Sequence, residues 1–139
     1  MAKRLLLLIL AFLPLCVNAQ TVEVVRDEGG RVTASVHKVY DNHDCLAVQI
    51  EYAYDTAGVV ETRTLRQFDK QGREERMEVL SADEVLLFAQ TRQYDRKGRL
   101  HKIVQITYED DGSVQKDCFK YEYKSSDTIV YLNGKIISK

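Results

Sequence analysis

Apolar and polar side chains alternate along most of this 139-residue chain, in short segments that turn residues interrupt. A period of two is the pattern of β-strands that bury one face and expose the other. The pattern predicts an antiparallel sheet whose even-numbered residues share the buried face, unless β-bulges shift the register. Apolar even-numbered positions include Val36, Val48, Ile50, Phe88, Val104 and Ile106, and polar odd-numbered ones include His37, Glu51, Arg63, Gln93 and His101.

A five-residue phrase, an aromatic residue followed by Asp-x-x-Gly or Glu-x-x-Gly, separates several of these segments. Its glycines are 14 residues apart within each of two pairs, Gly58 with Gly72 and Gly98 with Gly112. Asp in the first position and Gly in the fourth are typical of a type I turn whose glycine takes the left-handed conformation. A chain that reverses about every 14 residues is expected to form an antiparallel up-and-down meander.

The same interval predicts less obvious turns, which bring the expected number of strands to about 8–10. Asp44 occupies a glycine position, and Asp is among the few residues that tolerate the left-handed region. Degenerate turns are expected at 81–84 and 124–127. The sheet is expected to be strongly curved or to form a partly closed barrel. The predicted structural turn residues are Asp27 and Gly30, Asp41 and Asp44, Asp55 and Gly58, Asp69 and Gly72, Asp95 and Gly98, Glu109 and Gly112, and Asn133 and Gly134.

Residues 81–90 are the one segment whose sequence supports two predictions, a helix and a strand. Ser81-Ala82-Asp83-Glu84 matches a helix capping box, and the apolar run that follows could continue as a helix. However, residues 92–95 repeat residues 66–69 almost letter for letter, which favours a strand.

The N-terminus predicts export. Lys3 and Arg4 precede an unbroken apolar run over 5–13, and Val17-Asn18-Ala19 has the small residues of a cleavage site. These features indicate a secretory signal peptide over 1–19, followed by a single domain over 20–139 in the periplasm or outside the cell. Cys16 invites a lipoprotein interpretation, but Leu15 stands where that pathway requires a small residue, so lipid anchoring is not expected.

Composition narrows the class of partner. The chain has 20 basic and 21 acidic residues, and removal of 1–19 changes the net charge from −1 to −3. No basic run is present, which argues against nucleic acid as a partner. No apolar stretch after the leader is long enough for a transmembrane segment. Proline is absent after Pro14, as expected for strands that are paired on both sides.

Cys45 and Cys118 are the two cysteines that follow the leader, and export into an oxidising compartment makes them a candidate disulfide. A flat meander would place them on the third and eighth strands. Strands that far apart are separated by more than the roughly 7 Å that a disulfide spans between Cα atoms. A bond therefore requires the sheet to close or fold over, and two buried free thiols are the alternative.

Candidate chemistry is sparse, and no catalytic residue, metal ligand or cofactor is predicted. His43 with its flanking aspartates, and the acidic run from Glu109 to Asp111, are each explained better by turn chemistry than by a metal site. No serine lies in a Gly-x-Ser-x-Gly phrase, and no glycine-rich phosphate loop is present.

The segment Tyr94-Asp95-Arg96-Lys97-Gly98-Arg99-Leu100 resembles the YD repeat of Rhs-type bacterial surface and toxin-shell proteins. The phrases that begin at Phe68 and Tyr54 match this repeat more loosely. The plan of a leader and one small repetitive β-domain also resembles small secreted proteins of Gram-negative bacteria. These resemblances imply a β-hairpin fold and no activity.

Two functions are left open. The first is a non-catalytic binding or scaffolding module for an unknown protein or glycan. The alternative is a carrier of a small apolar ligand, with its cavity inside an up-and-down β-barrel.

Overall fold

The computed structural model describes residues 19–138, and these residues form one antiparallel sheet of ten strands. The order of strands in the sheet is their order along the chain, so the predicted up-and-down meander is confirmed. The strands are β1 (Ala19–Arg26), β2 (Val32–Tyr40), β3 (Leu46–Tyr54), β4 (Val60–Phe68), β5 (Glu74–Ser81), β6 (Leu86–Tyr94), β7 (Leu100–Tyr108), β8 (Val114–Lys124), β9 (Asp127–Leu132) and β10 (Lys135–Ser138). The predicted signal peptide lies outside the described residues, apart from Ala19.

The sheet is curled only in part and does not close, because β1 and β10 are its two edges. The strand reading of residues 81–90 is confirmed, since β6 begins at Leu86 and pairs with β5 and β7. No helix within residues 19–138 has the length and apolar character needed to cross a membrane.

The turns form as their residues predict. In the β3–β4 turn, Gly58 N–H donates to the Asp55 carbonyl at 3.0 Å, and Asp55 N–H donates to the Val59 carbonyl at 2.9 Å. Gly58 has φ +77°, which is the left-handed region that an L-residue rarely adopts. Three turns without glycine place another residue in the left-handed region, namely Asp44 (φ 59°), Glu84 (φ 66°) and Ser125 (φ 54°). In the β9–β10 turn both Asn133 (φ 48°) and Gly134 (φ 84°) adopt this region.

The predicted even-numbered buried face is wrong, because bulges change the register. Each hairpin from β1 to β7 has a register shift close to its turn, where one strand carries an extra residue. Odd-numbered residues of one strand therefore pair with even-numbered residues of the next, and parity alternates along a row. One such row runs Val22, His37, Ile50, Leu65, Glu78, Ala89 and Ile106.

The hydrophobic core is small. Val39, Val48 and Ile50 are buried, and Ile50 is only 1% exposed. Near β8, an apolar row lies on the opposite face of the sheet, where Ile103 pairs with Phe119 and Phe119 pairs with Leu132. Because apolar residues change faces along the sheet, the sheet formed by residues 19–138 has no single continuous apolar face that closure would bury.

Candidate binding groove at the basic end of the sheet

A meander places alternate turns at the same end of the sheet, and in this chain the two ends differ in charge. One end, here called the basic end, carries the turns over 41–45, 69–73, 95–99 and 125–126, which hold five lysines and arginines and four aspartates. The opposite end carries the turns over 27–31, 55–59, 82–85, 109–113 and 133–134, with eight carboxylates and one basic residue, Arg31. The end that carries the β4–β5 and β6–β7 turns therefore favours anionic ligands.

An Asp–Arg–Tyr arrangement holds one arginine in place at the basic end. Asp69 accepts a 2.7 Å ion-paired hydrogen bond from Nε of Arg73, the residue that follows the turn glycine. The Arg73 guanidinium lies 4.4 Å from the ring centroid of Tyr94, at the end of β6. The Tyr94 hydroxyl donates to the carbonyl of Glu74 at 2.7 Å. The tyrosine of one hairpin therefore packs on the arginine of the hairpin before it.

The same arrangement recurs one hairpin pair further along. Asp95 accepts from Nε of Arg99 at 2.8 Å, and the Arg99 guanidinium lies 4.2 Å from the ring centroid of Tyr123. The Tyr123 hydroxyl donates to the Leu100 carbonyl at 2.6 Å. An ion pair on one side and an aromatic ring on the other limit the conformations of the arginine before any ligand arrives. The register pairs Tyr94 with Leu100 in the β6–β7 hairpin, whereas the contacts of Tyr94 and Tyr123 with arginines of other turns were not predicted from the sequence.

An open groove of about 330 Å³ lies beside the second arrangement, along β7 and β8. Its lining combines two tyrosines with basic, imidazole and carboxylate side chains. The lining residues are Asp95, Arg99, His101, Lys120, Tyr121, Glu122, Tyr123 and Lys124.

Both carboxylates of the groove are held in their charged form. The Arg99 backbone N–H lowers the pKa of Asp95 most, partly offset by desolvation, and the Arg99 side chain and the Lys97 backbone N–H lower it further. The Lys120 ammonium, 3.3 Å from Glu122, is the largest cause of the lowered pKa of that residue, and the Tyr131 hydroxyl adds a 3.1 Å hydrogen bond. The residues that line the groove therefore include two ion pairs, Arg99 with Asp95 and Lys120 with Glu122.

The predicted turn residues perform the roles expected of them, with one exception. Asp41 accepts hydrogen bonds from the backbone N–H groups of His43 at 2.8 Å and Cys45 at 3.0 Å, so its carboxylate caps the turn. In the β7–β8 turn, Asp111 rather than Glu109 provides a capping carboxylate, which accepts from Ser113 N–H at 2.8 Å. Within residues 19–138, no group of three or more His, Cys, Asp or Glu side chains is arranged to hold a metal ion.

The two cysteines are not brought together. Cys45 directly precedes β3 and Cys118 lies in β8, with β4, β5, β6 and β7 between them, and both are free thiols. The candidate disulfide is therefore not formed within this chain, because the sheet stays open.

A polar cluster that the sequence reasoning missed lies on β2 and β3. The buried Ser35 hydroxyl is 2.9 Å from the Tyr54 hydroxyl and 3.5 Å from Nε2 of His37. The His37 ring packs edge-on against Tyr52, with 5.3 Å between centroids. The spacing of two residues between Ser35 and His37 was the available signal, because such residues share a face of a strand.

Comparison with known proteins assigns no family. No protein-family model matches the chain, and no curated protein matches it. The resemblance to YD repeats stays a prediction.

Proposed function

We propose that this chain is an exported, non-catalytic binding module whose groove along β7 and β8 holds an anionic glycan. The observation that supports this most is the position of Arg99, fixed between Asp95 and the Tyr123 ring at the margin of an open groove. Basic side chains attract a carboxylate or sulfate, and tyrosines offer amphipathic surface to a sugar ring.

The size and lining of the groove favour a glycan over a protein or a small apolar ligand. A volume of about 330 Å³ is at the low end of ligand sites, which span roughly 300–1,000 Å³, and suits one or two sugar units. A protein partner of standard interface size would cover about 800 Å² on each side, which extends well beyond a groove of this volume. The charged lining disfavours a small apolar ligand.

The carrier hypothesis finds less support. A carrier needs a closed sheet around an apolar interior. The described sheet is open, and its apolar residues change faces between β4 and β7. We therefore propose the binding module in preference to the carrier.

Calorimetric titration with short uronic acid oligosaccharides, compared with neutral glucose oligosaccharides of the same length, tests this function. The acidic series is expected to bind, more weakly as salt is added, because screening reduces the attraction between charges. Arg99→Met is expected to raise the Kd about tenfold, a typical value for one charge-assisted contact.

Arg31→Met is the matched control. Arg31 forms an equivalent ion pair with Asp27 at 3.0 Å and is as exposed as Arg99 (46% against 44%), but it lies at the acidic end. Equal binding of neutral and acidic oligosaccharides would contradict the proposal. So would equal losses of affinity in the two arginine variants, both of which must first show a wild-type circular dichroism spectrum.

A further inference from the structure

We infer that β1 is a docking edge for a second copy of this chain, whose own β1 pairs antiparallel with it and joins the two sheets. The inner edge of β1 pairs with β2, and no strand within residues 19–138 pairs with its outer edge. All eight residues of β1 are exposed. Val22, Val24 and Val25 are 55%, 51% and 48% exposed. An open edge with apolar side chains is a template for another strand.

The other edge of the sheet is protected against such pairing, whereas β1 is not. β10 has only four residues, begins with Lys135 and contains a register shift between Ile136 and Ser138. Short length, lysine and bulges are the usual means of protecting an edge. β1 is twice as long, lacks lysine and proline, and keeps a regular register with β2 up to Val25.

Charge and the position of the β1–β2 turn together restrict the register of the pair. A two-fold axis normal to the sheet pairs each residue with a residue on the same face of the other strand. A pair centred on Glu23 would place two carboxylates opposite each other, which is destabilising. A pair centred on Val24 would reach the bulge at Val25 and the turn at Asp27 within three residues.

A pair centred on Val22 avoids both problems. Val22 then lies opposite Val22 of the second copy, Thr21 opposite Glu23, and Gln20 opposite Val24. Val22 belongs to the row that continues through His37 to the buried Ile50, so the second copy would extend this row and cover its exposed end. The contact uses the same strand of both copies and therefore closes at a dimer.

Sedimentation equilibrium of the mature chain, purified from the cell that exports and processes it, tests this inference. The wild type is expected to have twice the chain mass at about 100 µM, well above a micromolar Kd. Val22→Lys and Val22→Glu are each expected to weaken the dimer about tenfold, because each places like charges opposite each other at the axis. An equimolar mixture of the two variants is expected to restore it, since residue 22 then meets an opposite charge. Val59→Lys is the control, because Val59 is 59% exposed and lies outside β1.

Oxidative cross-linking tests the register even if a charged variant folds poorly. Val22→Cys is expected to form a disulfide-linked dimer, since opposite side chains have Cβ atoms about 4.5–5.5 Å apart. Glu23→Cys is expected to cross-link no more than the wild type, because its opposite residue is Thr21. A monomeric wild type, a dimer insensitive to Val22→Lys, equal cross-linking at positions 22 and 23, or growth beyond two copies would each overturn the inference.

Discussion

The left-handed turn positions allow a direct test of how this sheet is stabilised, and Gly72→Ala is the most informative single change. Gly72 has φ +77°, and a Cβ added there would meet no atom within 4 Å apart from its own chain neighbours. The cost is therefore the backbone strain of an L-residue in the left-handed region, about 1–2 kcal/mol. Alanine also lowers the entropy of the unfolded chain, which returns about 0.4–1 kcal/mol. The net loss of unfolding free energy should be about 1 kcal/mol.

Two further variants separate strain from the other effects of the substitution. Gly29→Ala introduces the same methyl group in a turn position outside the left-handed region, where the Cβ would meet Asp27 Oδ1 at an ordinary 3.4 Å. We expect Gly29→Ala to leave stability unchanged or raised. Asp44→Gly makes the opposite substitution, because it places glycine at a left-handed position that now holds an L-residue with φ 59°. Relief of the backbone strain should stabilise the protein by about 0.5–1 kcal/mol.

Urea unfolding followed by circular dichroism measures these differences as shifts of midpoint at constant m-value. A loss in Gly72→Ala no larger than in Gly29→Ala would refute the strain argument. Destabilisation by Asp44→Gly would refute it independently.

Three other predictions follow from the contacts at the turns and on the two faces. The pKa of Asp95 is lower in the folded protein than in the unfolded chain, and the backbone N–H of Arg99 is the largest cause. The stability that this carboxylate contributes should therefore be fully present above the pKa of the unfolded chain, about 4, and should be lost as pH falls through the pKa of the folded protein. Asp95→Asn keeps an oxygen for the turn N–H groups, and its urea midpoint should depend less on pH below 5 than that of the wild type. Tyr94→Phe and Tyr123→Phe each remove one partly buried hydrogen bond of equivalent geometry. Each should lower the free energy of unfolding by about 1 kcal/mol, measured by urea unfolding. Unequal losses would show that the two arrangements differ. Arg63→Met should be neutral or stabilising in thermal unfolding, because Nε and Nη2 of this buried side chain have no hydrogen-bond partner within residues 19–138 and Nη1 makes only a 3.4 Å contact with the exposed Glu84. A loss above about 2 kcal/mol would contradict this.

The features predicted correctly depend on residues close together in the chain. Asp55 and Gly58 specify their turn through hydrogen bonds that span three or four residues, and Asp44 could be placed in a glycine position for the same reason. The strand over Leu86–Tyr94 was recognised because its end repeats an earlier turn phrase. The number of strands, their order and their direction then followed from the spacing of the turns.

The candidate site could not be predicted in the same way, because its contacts join separate hairpins. Arg99 and Tyr123 are 24 positions apart in the sequence, and their stacking depends on which strand lies beside β7. The charge difference between the two ends was present in the sequence. It is found only when the charges of alternate turns are added separately, because alternate turns lie at the same end of the sheet.

Local turn chemistry and alternating polarity were thus sufficient for the meander, because each hairpin is specified by about 14 neighbouring residues. Only the tertiary structure showed which residues share a face, because a single extra residue in a bulge reverses the parity of a whole strand. The tertiary structure also showed that the sheet remains open, since its apolar residues do not form one face that closure would bury. Because the sheet is open, the β7–β8 groove and the β1 edge are accessible.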